Sequence, residues 1–400
     1  WYIRSVTELM GEMTCEKCGH GEFRKEEDIL DVWFDSGVSF AAVIERLGEG
    51  QPSGPTVDLY LEGSDQHRGW FHSALLCSLV TREQPPYRTV LTHGFIVDEK
   101  GHKYSKSAGN YVDPFKAIKQ NGAELLRLWV ASSDYREDIR ISDEILARLS
   151  DNYRKVRNTV RYLLGNFYDF DPNQHLVKPE ELLPLDRYGL VLSQRACSRM
   201  LDAYERYEFH IVLNRLVDLC IVDMSAFYLD VLKDRLYASS ADSVLRRSAQ
   251  SALYLIARDL LRLMAPVFSF TAEEAWGHLP RLNGDPDSVH LALAPGVEEP
   301  PAVAAIWDAV KKEQEQLAEI YRRPREVRKE VNAVLEDARK EKQIGSSVEA
   351  TVTVGLPSED LALLEKLDTA DLADLFIVSG VRLKQSESLQ IEVGKAPGTK

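Results

Sequence analysis

Two lysines three residues apart, Lys103 and Lys106, stand in the run Asp98-Glu-Lys-Gly-His-Lys103-Tyr-Ser105-Lys106-Ser107-Ala-Gly-Asn110. Ammonium groups, hydroxyls and backbone N–H groups in such a loop suit a polyphosphate. A solvated Lys/Ser surface loop has the same composition, and the loop alone does not separate the two. Earlier in the chain, Glu62-Gly63-Ser64-Asp65-Gln66-His67-Arg68 follows a β-type run. It puts two carboxylates, an amide and a glycine at a strand's end, where Gly63 lets a ligand approach the backbone closely. The plain alternative is that Glu62, Asp65 and Arg68 cap and ion-pair the next helix. Trp33 and Trp70 offer flat apolar walls, either to a ligand or to the core. His67 and His93 are read as packing or hydrogen-bonding groups.

Cys15-x-x-Cys18-Gly19 is half of a tetrahedral zinc site. His20 stands too close to complete it, and Cys77, Cys197 and Cys220 lie in apolar helical surroundings. No strand–helix context follows the pair, which argues against a redox role. Two basic groups could meet nucleic-acid phosphates. Arg154, Arg157 and Arg161 share one helical face, and Arg322, Arg323, Arg325 and Arg328 form the densest basic run. Residues 311–345 hold 10 basic and 8 acidic side chains, which also fits an exposed, salt-bridged helix.

The elements that must position these groups follow from pattern. Val57–Leu61 reads as a buried strand, and 68–82 as a buried helix. Tyr87–Asp98 is β-rich, with a turn at 98–101, and Asp113-Pro114 opens a helix with Asp as cap and Pro at its first position. Strand, helix, strand, helix predicts a parallel α/β unit. From about 143 the periodicity is helical, with long helices expected at 186–208, 209–237 and 243–264. Thr271-x-x-Glu274 has the form of a capping box. A charged helix over 302–342 and strands at 348–355 and within 375–396 complete the reading.

The chain has 400 residues, 44% of them hydrophobic and 28% charged, so it is globular and long enough for two to three domains. Its 49 basic and 63 acidic residues give a net charge of −14, so nucleic-acid contact requires local basic faces. No run resembles a membrane span, and five cysteines without a regular framework favour a reducing, cytoplasmic setting.

The 103–107 loop, with Tyr104 at its second position, resembles the Lys-Met-Ser-Lys-Ser signature of class I aminoacyl-tRNA synthetases. Asp58-Leu-Tyr-Leu-Glu62-Gly-Ser-Asp65-Gln66-His-Arg-Gly-Trp70-Phe71 and Asp28-Ile-Leu-Asp31-Val-Trp33-Phe-Asp35-Ser-Gly37 resemble segments of the bacterial isoleucyl branch, as does Asn158–Asn166. The resemblance covers essentially the whole chain and is more diffuse after about 185. It implies the second half of a Rossmann-type catalytic domain, then an anticodon-binding helical bundle and a small C-terminal α/β segment. It implies activation of L-isoleucine with ATP and Mg²⁺ and transfer to tRNA(Ile). Lys106, assisted by Lys103, would stabilise the transferring phosphates, with Ser105 and Ser107 beside the ATP. Glu62, Gly63, Asp65 and Gln66 would meet the adenylate, and Trp33 and Trp70 would wall the side-chain pocket.

The domains expected are 1–27 (connective, with the cysteine pair), 28–143 (catalytic half with the signature loop), 144–185 (helical linker), 186–300 (anticodon bundle) and 301–400 (C-terminal helix and α/β segment). The nine histidines include no His-x-Gly-His, the family's other ATP motif. The chain starts at Trp1 and its last residues resemble the lead-in to a Cys-x-x-Cys zinc module. It is therefore expected to be part of a longer, monomeric protein, whose missing portion would complete the zinc site. A non-catalytic tRNA-binding module and a valyl- or leucyl-type ligase are the competing readings.

Overall fold

A computed structural model describes residues 2–48, 57–98, 101–104 and 113–398. The chain forms two compact units, Trp1–Val97 with Tyr135–Ile139, and Asp98–Asp134 with Arg140–Lys400.

In the first unit, α1 (Val6–Met10) begins at a reciprocal Ser5/Glu8 capping box, and α2 (Val32–Gly37) is capped by the Asp31 carboxylate. Strand β1 (Val57–Gly63) is followed by a 3₁₀ turn, Ser64–Arg68, helix α3 (Trp70–Arg82), strand β2 (Tyr87–His93) and the short β3 (Ile96–Val97). β1 and β2 run parallel, Glu62 opposite Thr92 and Gly63 opposite His93. This is the expected β-α-β unit: parallel strands need a crossover, and α3 supplies it. Tyr60, Phe71 and Ala74 form its core, with Val57, Trp70, Tyr87 and Val90 around them. α3 is not the buried helix the apolar run suggests. Phe71, Ala74 and Ser78 face inward, whereas Leu76, Leu79 and Val80 lie exposed on the other side. The segment 135–139 crosses over Gly94: Gly94 N–H donates to Tyr135 C=O at 2.8 Å, and Ile139 N–H to Phe95 C=O at 2.9 Å. A Cβ at Gly94 would stand 2.4 Å from the Glu137 carbonyl oxygen, so only glycine fits this crossing.

The second unit begins at Asp98 and includes helices α4 (Pro114–Asn121) and α5 (Ala123–Ser132). Asp113 caps α4 as expected, its carboxylate accepting Phe115 N–H. Short strand β4 (Ile139–Arg140) leads into α6 (Asp143–Gly165), α7 (Pro172–His175), α8 (Pro184–Glu205), α9 (Phe209–Asp218), a π-helical stretch 219–228, α10 (Leu229–Val231), α11 (Lys233–Ala238), α12 (Val244–Met264) and α13 (Ser269–Trp276). α12 is buried on nearly every side, so its polar residues need internal partners. Arg258 reaches Asp285 (2.8 Å) and Glu299 (2.6 Å), and Arg262 reaches Asp259 (2.5 Å) and Glu299 (2.7 Å).

α13 corrects one sequence expectation. It starts at Ser269, so Thr271 and Glu274 lie inside it, and its own N-cap residue supplies no side-chain bond. The cap comes instead from Glu124 on α5, which accepts the N–H groups of Phe270 (3.0 Å) and Thr271 (3.1 Å). The freed Thr271 hydroxyl bonds Glu124 and Tyr153, and Glu274 holds the Arg157 fork.

α14 (Pro301–Lys340) is one 40-residue helix with Pro324 inside it. Beyond it lies a three-stranded sheet with β5 (Ala350–Leu356) at its centre, followed in the chain by α15 (Ser358–Leu364), α16 (Thr369–Phe376), β6 (Gly380–Gln385) and β7 (Gln390–Lys395). β6 pairs parallel and β7 antiparallel to β5. No helix among the described residues is long and apolar enough to cross a membrane.

Candidate functional site

The carboxyl ends of parallel strands are where open α/β folds bind ligands, because helices and loops diverge there. Here Glu62-Gly63 ends β1 directly beside His93-Gly94 at the end of β2. The Glu62 side chain is exposed, and among the described residues nothing hydrogen-bonds or ion-pairs with it. A Cβ on Gly63 would stand 2.7 Å from Asp65 Oδ1 and 3.3 Å from the Phe95 ring, so Asp65 folds back over the strand end only because position 63 is glycine. His93 turns its Nδ1 to its own neighbour, Gly94 C=O, at 2.7 Å.

Gln66 and Trp70 are employed by the scaffold. Gln66 Oε1 accepts Trp70 N–H at 3.0 Å and so caps α3, which begins at a glycine with no cap of its own. The capping expected of Glu62, Asp65 and Arg68 is thus carried by Gln66, a residue the sequence reading assigned to ligand contact, and Glu62 takes no part in it. Trp70 stacks on Tyr60 with centroids 4.0 Å apart, and its indole N–H donates to Ser36 C=O at 3.0 Å. Trp33 lies edge-on to Gly69, where a Cβ would come within 2.9 Å of its ring, and remains 43% exposed. Of the two indoles, Trp33 has the open face and Trp70 is largely packing.

In the second unit, Asp98 organises the start of the lysine loop. Its N–H donates to His102 C=O (2.9 Å) and its carboxylate accepts His102 N–H (2.9 Å), which presents Lys103 on the surface. Ser105, Lys106 and Ser107 lie outside the described residues.

Cys15 and Cys18 lie in a tight turn: Gly19 N–H donates to Cys15 C=O, and Cys15 N–H to His20 C=O, both at 2.8 Å. Backbone N–H groups of Lys17 and Cys18, and the Cys18 side chain, hold the Cys15 thiol below its ordinary value. Two cysteine sulfurs in such a knuckle suit half of a zinc site. Among the described residues no cluster of three or more His, Cys, Asp or Glu side chains completes it.

The basic residues divide sharply. Arg154 and Arg161 stay exposed, Arg154 only loosely paired with Asp151 at 3.7 Å, while Arg157 forks onto Glu274. In the run on α14, Arg322 is exposed beside Glu319. Arg323 binds Asp360, Arg325 binds Asp223 over the Phe227 ring, and Arg328 is buried against Asp230 and the Leu375 and Ala226 carbonyls. The density of the run therefore reflects internal acidic partners far away in sequence, and Arg328 has no surface to offer a phosphate. Sequence reasoning missed Glu124 and Arg127. Their only signal is two charges one helical turn apart among the buried leucines of α5.

Residues 1–142 match the family model described as tRNA synthetases class I (I, L, M and V), and residues 186–354 match the anticodon-binding domain of tRNA ligase. The chain belongs to the class I aminoacyl-tRNA synthetases. It is 52% identical to the isoleucine–tRNA ligase of Syntrophotalea carbinolica over 100% of its length and 43% of that protein's. It is 48% identical to those of Symbiobacterium thermophilum and Geobacter sulfurreducens, covering 42% and 43% of them. The chain thus spans less than half the length of these relatives. A crystal structure of the Agrobacterium radiobacter K84 leucyl enzyme, in a ternary complex with tRNA and LeuAMS, shares the fold with a TM-score of 0.51 at 16% identity, over 98% of this chain and 39% of that one.

Proposed function

We propose that this chain is the part of an isoleucine–tRNA ligase that carries the adenylate-contacting strand end, the ATP-facing lysine loop and the anticodon-side helices. The observation that carries the reading is the exposed, unpartnered Glu62 carboxylate at the end of β1, beside the end of parallel β2. In the reaction the carboxylate of L-isoleucine attacks the α-phosphate of ATP, the α–β phosphoanhydride bond breaks, and pyrophosphate leaves; the isoleucyl group then passes to tRNA(Ile). Little covalent chemistry falls to the protein, so its work is positioning and charge stabilisation. Lys106 and Lys103 neutralise phosphate charge, with Ser105 and Ser107 as hydroxyl donors. Glu62 and Asp65 take the ammonium or ribose hydroxyls, the backbone at Gly63 allows close approach, and the open face of Trp33 meets the aliphatic side chain. Mg²⁺ would travel with the polyphosphate, and Cys15 and Cys18 would give two of four zinc ligands. Arg154, Arg161 and Arg322 are the basic groups placed to meet tRNA phosphates. The setting is the cytoplasm and the intact enzyme a monomer.

ATP–pyrophosphate exchange by the full-length enzyme tests this. Exchange stimulated by isoleucine is expected; exchange on valine or leucine in its place would refute the specificity. The absence of His-x-Gly-His from these 400 residues favours a second reading for the chain taken alone, a tRNA-binding module without catalysis. Filter binding of tRNA(Ile) to the isolated chain across a salt series, beside an exchange assay, distinguishes them. The expected outcome is salt-sensitive binding without exchange.

A further inference from the structure

Arg154, Lys155, Arg157 and Arg161 are the only charged residues between Asn152 and Tyr168, in a chain of net charge −14. This stretch of α6 is a local basic face of the kind nucleic-acid contact requires in an acidic protein. Arg157 and Arg161 stand about one turn apart on α6 and line a groove of about 480 Å³ between α6 and α13, where Val160 and Ala275 are buried. Arg161 is exposed and has no hydrogen bond or ion pair among the described residues. Arg157 is held differently: its guanidinium forks onto Glu274 of α13 at 2.9 and 3.1 Å. Glu274 is the one acid lining the groove, against Arg157, Arg161 and His278.

The Arg157–Glu274 pair is open to water, with 46% and 55% of the side chains exposed. An ion pair so exposed contributes little stability and is screened by salt. Hydrogen bonds from Arg157 hold the Glu274 carboxyl below its ordinary range, so it is charged at neutral pH. A phosphodiester offers two oxygens to the same planar fork and can take the place of the carboxylate. We infer that the α6–α13 groove receives a phosphate of the tRNA backbone, and that Glu274 masks Arg157 until that phosphate displaces it. The inference rests on the reading of the chain as part of a tRNA ligase, and adds a masked contact to the open ones. A mask serves selectivity: a phosphate brought to the groove by contacts elsewhere displaces Glu274, whereas unrelated RNA meets a carboxylate there.

The test is filter binding of tRNA(Ile) to the full-length enzyme across a salt series, with Glu274→Gln, Arg161→Ala and the double variant Glu274→Gln/Arg157→Ala. Glu274→Ala serves if Glu274→Gln does not fold. Unmasking Arg157 should tighten binding about fivefold and steepen the log–log salt slope by about one. The double variant should lose that gain, and Arg161→Ala should bind about fivefold more weakly with a slope shallower by about one. A bridge with only a structural role would leave affinity unchanged or lower it when broken. Unchanged or weaker binding by a folded Glu274 variant, a gain that survives in the double variant, or wild-type binding by Arg161→Ala would overturn the inference. Failure of the unaltered enzyme to bind tRNA(Ile) in a salt-dependent way would instead overturn the tRNA-ligase reading beneath it.

Discussion

Arg328 donates to the Asp230 carboxylate at 2.6 Å, and the same guanidinium satisfies the carbonyls of Leu375 and Ala226. One side chain on α14 thereby ties together the end of the π-helical stretch, α10 and α16. Removing it takes a donor from three acceptors, of which Asp230 keeps Lys233 as a second partner, so Arg328→Ala should cost about 3 kcal/mol of stability. Arg322→Ala, on the exposed face beside Glu319, should change stability by no more than about 0.5 kcal/mol. Urea melts measure both. Only the Arg322 variant, still folded, is then expected to lower the salt slope of tRNA(Ile) binding, by about one.

Glu62 and Gln66 should separate chemistry from scaffold. Glu62→Gln removes a charge that no described residue uses, so melting should be unchanged while isoleucine-dependent exchange by the full-length enzyme falls. Gln66→Ala removes the cap at Trp70 N–H and should cost about 1 kcal/mol. Thermal unfolding beside exchange kinetics checks the pair; a Glu62→Gln enzyme with full exchange would refute the assignment.

Thiol reactivity should follow the local fields. Cys15 is held below its ordinary value by backbone N–H groups, whereas burial pushes Cys197 up and Cys220 up to about 12. Thiolate is the reactive form, so brief iodoacetamide treatment near pH 7 should label Cys15 well before Cys197 or Cys220. Peptide mass spectrometry reads the order. Protection of Cys15 by added Zn²⁺ in the intact enzyme is expected if the knuckle is a half-site.

The buried charge cluster gives a pH dependence with a definite sign. Burial pushes Asp259 up to about 6; Arg262 and Arg258 oppose the shift, and Glu299 adds to it. The folded state therefore holds this proton more tightly than the unfolded chain. Its contribution is fully present below the unfolded carboxylate value near 4 and is lost as pH rises through about 6. Burial pushes Glu299 up, but Arg262, Arg258 and the Gly296 N–H together outweigh it and hold Glu299 below its ordinary value, so its contribution runs the other way and is lost as pH falls. Asp259→Asn should remove a component of stability that increases from pH 7 to pH 5. Denaturant melts at the two pH values measure it.

What the sequence made legible was local. The Asp113-Pro114 start, the strand ending at Glu62-Gly63 and the long helix from 301 each depend on neighbours in the chain, and each stands where expected. What it concealed depends on partners far away. Thr271-x-x-Glu274 has the right spacing for a cap, but the true cap is Glu124. The run Arg322–Arg328 reads as a phosphate face, yet Asp223, Asp230 and Asp360 neutralise most of it. An apolar stretch tells little about which side is covered, so the exposed stripe Leu76, Leu79 and Val80 had no signature. The π-helical turn at 219–228 likewise has no local code; its last residue, Tyr228, is buried and donates to Asp186, 42 residues earlier in the chain.

The 40-residue α14 is a continuous rod of about 60 Å. At its midpoint it stacks on the bundle, Tyr321 lying on Tyr188 at 4.5 Å, while the terminal sheet follows its last turn. Each residue of an α-helix adds about 1.5 Å of advance and 100° of rotation. Deleting a single residue between 325 and 340 would therefore swing the terminal sheet through more than a quarter circle about the rod. The length of that stretch acts as an angular gauge, intolerant of indels where its individual exposed side chains can vary freely.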